Sequence, residues 1–146
     1  MAMEDAIASV TRTPTGISVL HDYWRQQMNG GRVHAANFDP EGALGDPGKL
    51  SVTVSHVDVD MENPWHYRFT RFKGRYFGWM DGKCLSDFPL LPVVDDCAVE
   101  YFECKSAAQP AAHHIQHNLN GFSRNYLRLL LPLAGDDGSP TGLVSV

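Results

Sequence analysis

Residues Trp65 to Lys83, WHYRFTRFKGRYFGWMDGK, constrain the fold strongly because the hydrophobic period changes inside them. Trp65, Tyr67 and Phe69 recur every second residue, the spacing of a strand with one buried face. Phe72, Tyr76, Trp79 and Met80 recur every three or four, the spacing of a short helical segment. The pattern predicts a strand running into a compact aromatic loop. Such a loop either fills a core or lines a pocket.

A strand needs neighbours, and the flanking sequence supplies them. Leu50 to Asp60 reads as a first strand whose apolar phase slips between Val54 and Val57, which predicts a bulge near Ser55 and His56. Met61 to Pro64 makes a turn, so Trp65 to Phe72 pairs back as a hairpin. Upstream, residues 1–12 are a frayed lead-in. Thr13-Pro14 then opens an amphipathic helix over 13–29, with Ile17, Leu20, Trp24 and Met28 on one face and Asn29-Gly30-Gly31 as its stop. Residues 32–49 read as a loop with turns at Phe38-Asp39-Pro40 and Asp46-Pro47-Gly48.

Downstream, Leu85 to Pro92 is irregular, and Val93 to Ala108 is a helix with Val94, Cys97, Ala98, Tyr101 and Cys104 on one face. Three strands follow, Ala111 to Leu119, Asn125 to Leu133 and Gly142 to Val146, joined by Asn120-Gly121 and by the Gly135 to Gly138 turn. The expected architecture is α+β, a five-stranded antiparallel sheet with the helices gathered on one face.

The chain has 146 residues, enough for one domain over 13–146. Its longest mostly apolar run, Leu127 to Ala134, is far too short for a bilayer, and residues 1–20 lack the pattern of a signal peptide, so the expected setting is cytoplasmic, without a membrane partner. A net charge of −5 with scattered basic residues argues against nucleic acid. Cys84, Cys97 and Cys104 form no CxxC pair and read as reduced thiols.

Several local patterns, taken in order, resemble a short PAS-like domain family found mainly in alphaproteobacteria. They are Tyr23-Trp24-Arg25, Gly31-Arg32 before Phe38-Asp39-Pro40, Val57-Asp58-Val59, Tyr67-Arg68-Phe69, Phe77-Gly78 closed by Asp81-Gly82-Lys83, and Tyr126 to Leu133. The likeness runs from about Leu20 onward. Arg71 replaces a common glycine, the loop to Gly82 is about two residues short, and His34-Ala35-Ala36 replaces a usual proline and arginine. The resemblance implies a sensory or interaction module that holds a small molecule between sheet and helices, or acts through dimerisation. Its pocket would use Tyr67, Phe69, Tyr76, Phe77, Trp79, Met80, Tyr101 and Leu129. Its helix before the first strand would carry a homodimer contact through Ile17, Leu20, Trp24 and Met28, and its output would pass to a signalling partner.

Other chemistries fit less well. His113, His114 and His117 have metal-ligand spacing on a helix, but on the expected strand His113 and His117 stand ~13 Å apart, beyond one ion's reach. No metal is expected. The 93–108 helix offers no histidine to a haem, and Cys84 lacks the Asn-Cys-Arg setting of a flavin photoreceptor, so neither cofactor is expected. No nucleophile motif occurs. The rival class is a small cone-shaped α+β isomerase or dehydratase using His56, Asp58 or His117 in an apolar cavity. The favoured reading is a non-catalytic regulatory module.

Overall fold

The structure, a computed structural model, describes residues 16–45, 53–72, 80–88, 91–119 and 122–146. The lead-in 1–12, the Thr13-Pro14 helix start, the beginning of the first expected strand and the Asn120-Gly121 turn lie outside them. The helices are α1 (Gly16–Gln26), α2 (Pro40–Leu44) and α3 (Leu91–Ala107). The strands are β1 (Ser55–Asp58), β2 (Arg68–Arg71), β3 (Ala111–Leu119), β4 (Phe122–Ala134) and β5 (Pro140–Ser145). They form one antiparallel sheet in the order β2-β1-β5-β4-β3. The slip in apolar phase is a real irregularity, for the β1–β2 register shifts between His56 and Val57.

The helices do not gather on one face, as the sequence reading expected. β4 explains why. Leu129, Leu130 and Leu131 are all fully buried, and a strand apolar at consecutive positions must be covered on both sides. Leu129, Leu131 and Leu133 pack with Leu20 and Trp24 of α1, together with Val33, Phe38 and Leu44. Leu130 points the other way, into a cluster with Val94, Ala98, Tyr101 and Cys104 of α3. Each buried leucine contributes about 1.5–3 kcal/mol relative to exposure, so both coverings are needed.

β4 also outruns its neighbour. β3 begins where Ala111 pairs with Leu130, which leaves residues 131–134 of β4 without a strand on that side. Buried backbone groups there need other partners. Ala134 N donates to Val33 O at 2.8 Å, and the Trp24 indole Nε1 donates to Pro132 O at 2.9 Å. Pro132, with no N–H to offer, stands where the ladder has ended and removes no bond from it.

Local chemistry corrects several expected boundaries. α1 ends at Gln26, and Gly30 and Gly31, at φ of 64° and 79°, turn the chain back through an Asn29–Arg32 bridge. The 32–49 loop contains α2, because Asp39 accepts from Gly42 N and Pro40 supplies a ready-made first helical residue. Trp65 is not in a strand. Asn63 caps a 3-10 turn over Pro64–His66, and β2 starts only at Arg68. α3 begins at Leu91, ahead of Pro92, since proline is tolerated in a first helical turn.

Candidate functional site

The inner surface between α3 and the sheet brings together four of the eight expected pocket residues. Tyr67, Phe69, Met80 and Tyr101 are buried in one cluster with Val57, Leu130 and Leu143. Tyr67 follows the 3-10 turn, Phe69 belongs to β2, and Tyr101 projects from the buried face of α3. Met80 is held by the return of its segment along β2, where Gly82 N donates to Phe69 O at 2.8 Å and Leu85 N to Tyr67 O at 3.0 Å. Leu129 belongs to the opposite face, because adjacent strand residues point to opposite sides. Tyr76, Phe77 and Trp79 lie outside the described residues.

Each tyrosine in the cluster carries a cation on its ring. Lys105 Nζ sits 5.5 Å from the Tyr67 centroid and donates to Val59 O at 2.6 Å and Met61 O at 3.0 Å. Arg128 lies 5.2 Å from the Tyr101 centroid. Such contacts contribute about 0.5–2 kcal/mol. The two cations therefore border the aromatic cluster through different rings.

Tyr67 is 0% exposed, yet among the described residues its hydroxyl has no hydrogen-bond partner. Burial raises the phenol pKa, so the group stays neutral and able to donate. An unsatisfied buried hydroxyl costs about 1–3 kcal/mol, so it would gain from a ligand acceptor.

At the Arg128 side lies a polar group that the sequence reading missed. Arg128 is only 4% exposed and pairs through Nη2 with Glu100 Oε2, while Nη1 donates to Cys97 Sγ at 3.4 Å. His113 stands directly across the ladder from Arg128, its Nδ1 3.6 Å from Glu100. Burial lowers the Arg128 pKa, with Cys97 and Asp96 opposing the shift. Burial also lowers that of His113, against the pull of Glu103. A lone arginine inside Tyr126 to Leu133 was the available signal, since a charge on a buried strand needs a partner.

The remaining expected residues are dispersed. Leu20 and Trp24 are buried against the chain's own sheet, Ile17 is partly buried beside them, and Met28 is exposed beyond the end of α1. His113 and His114 lie on β3, in the expected strand. Among the described residues no group of three or more His, Cys, Asp or Glu could hold a metal ion. Of the three proposed proton carriers, His56 meets a carboxylate: its Nε2 is 2.6 Å from Glu41 Oε1, which also accepts from Arg71 at 3.2 Å. This trio lines an open depression with Phe38 and Thr70 and ties α2 to the sheet edge. Asp58 accepts from Asp60 N in a local turn.

The three cysteines are free; Cys84 and Cys97 are partly buried and Cys104 is buried. Burial pushes the Cys104 thiol up to about 12, so it is a poor nucleophile. Outside the cluster, Trp65, Val99 and Phe102 are exposed, at 39%, 50% and 46%. The Trp65 indole donates to Asp95 on α3, and Asp95, Val99 and Phe102 follow one another at helical spacing on its outer face.

No family model, curated protein or solved structure matches this chain. Among the described residues no helix is long and apolar enough to cross a membrane. The functional reading therefore rests on the geometry of the chain itself.

Proposed function

We propose that this chain is a non-catalytic, PAS-like regulatory module that binds a small molecule between α3 and the sheet and signals through its surface. The unpartnered Tyr67 hydroxyl carries the reading: a buried donor amid Phe69, Met80 and Tyr101 fits an apolar site with a few orienting polar groups. The element order supports it too, since helix, two strands, helical middle and three strands is the order that the resemblance implies. The ligand is a mainly apolar molecule with one acceptor for the phenol. Output runs through self-association or a signalling protein in the cytoplasm, and the exposed Val99 and Phe102 stripe is the surface best suited to it.

Native mass spectrometry of the purified protein, set against its denatured mass, tests the reading. A copurified molecule of a few hundred daltons that is lost in Tyr67→Phe supports the site. A bare chain, with no small molecule from a cell extract retained on it, sinks the ligand reading. A bare monomer at micromolar concentration sinks self-association as the output.

A further inference from the structure

The end of β4 that outruns β3 leaves a cavity whose lining shares only Lys105 with the surroundings of Tyr67. It is about 150 Å³ and lies between Trp24 and Val33 on one side, Pro132 and Leu133 below, and the last turn of α3 on the other side. A volume of this order accommodates a single six-membered ring. The walls are mostly apolar, whereas among the described residues the polar side chains are Arg32, Lys105 and Ser106, with no carboxylate.

The two cations differ in availability. Lys105 is committed to the Val59 and Met61 carbonyls. Arg32 is exposed, and among the described residues its guanidinium makes no ion pair or hydrogen bond, although it lies near enough to Asp137 to help lower that carboxyl's pKa after the dominant Ser139 hydrogen bonds. Gly138 leaves room for it. A β-carbon there would displace Arg32 Nη1 from its position, and the positive φ of 83° disfavours a side chain at this residue. The turn thus leaves a cradle in which a guanidinium rests at the mouth of an apolar, ring-sized cavity.

We infer that this cavity binds a small aromatic monocarboxylate, its ring against the wall formed by Trp24 and Pro132 and its carboxylate on Arg32. Arg favours this anion because its planar N–H fork matches two carboxylate oxygens. Occupancy presses on the Trp24 indole, whose bond to Pro132 fastens α1 to the sheet. The site is therefore a handle on that helix, and it does not depend on the proposed ligand of Tyr67.

Benzoate and its neutral isostere benzamide, titrated into ¹⁵N-labelled protein, provide the test. Benzoate should give saturable shifts at the Trp24 indole N–H and at the Val33 and Ala134 amides, with Kd on the order of 0.1–5 mM for so small a ligand. Benzamide should bind about tenfold more weakly. Arg32→Gln should reduce benzoate to the benzamide level, and Tyr67→Phe should leave it unchanged. Equal affinity for the two ligands, no loss in Arg32→Gln, or shifts confined to residues around Tyr67 would each overturn the assignment.

Discussion

The Trp24 indole donates a 2.9 Å hydrogen bond to the Pro132 carbonyl, 108 residues away, and so closes the edge of β4 that β3 leaves open. A residue to which the PAS-like resemblance assigns a dimer contact is thereby buried inside the chain. Trp24→Ala should cost about 3–5 kcal/mol, the usual loss for a buried tryptophan. Trp24→Phe keeps much of the volume but orphans the carbonyl, and should cost about 1–3 kcal/mol. Urea unfolding measures both. An interface anchor would instead change self-association and leave monomer stability unmoved.

How much of this was legible follows from the physics of each element. The three C-terminal strands were readable because Asn120-Gly121 and Gly135 to Gly138 are strong turn signals between long apolar runs. α2 was hidden because Asp39-Pro40 starts a helix as readily as a turn, and only packing of Leu44 under the sheet decides between them. Trp65 broke the two-residue period because Asn63 and Pro64 impose a helical turn locally. The site was half legible: aromatic spacing found Tyr67 and Phe69, but Leu129 needed the facing of β4. The Arg128 group unites two elements distant in sequence, which no local pattern reveals.

Arg128 and Glu100 form a pair in which the arginine is almost wholly buried. Arg128→Met alone should cost about 2–4 kcal/mol, because Glu100 then keeps a poorly solvated charge. Arg128→Met with Glu100→Gln should recover at least half of that. Thermal unfolding of the two singles and the double gives the coupling. Strict additivity would mean that the two residues do not act as a pair.

His113 provides a pH signature. Its folded pKa lies below the ordinary 6.5 because burial penalises the cation, with Glu103 opposing; Glu100 and Arg128 also face the ring. As pH falls through about 6.5 the unfolded chain takes up the proton first, so stability declines until pH passes below the folded value. His113→Asn should flatten the decline below about pH 6.5 in denaturant midpoints measured across a pH series. An unchanged slope would assign the decline to other groups.

Cys104 should resist alkylation in the folded protein. Its thiol is buried, donates to Gln109 O at 3.3 Å and is pushed up to about 12, so almost no thiolate exists at pH 8. Iodoacetamide followed by peptide mass mapping should label Cys84 and Cys97 first, with Cys104 modified at the rate of unfolding. Equal rates at all three would show that the α3 face opens readily.

Tyr67→Phe separates stability from function. In the ligand-free protein the hydroxyl is buried without a partner among the described residues, so removing it should leave stability unchanged or raise it by about 1 kcal/mol. The ring, its contact with Lys105 and its packing against α3 survive the change. The same substitution should weaken the proposed ligand about tenfold, the worth of one buried hydrogen bond. A residue kept for packing alone would show the stability effect without any loss of binding. A stabilised variant that binds less tightly is the signature of a polar group retained at a site for the sake of its ligand, and calorimetric unfolding beside a binding titration reads both halves of it.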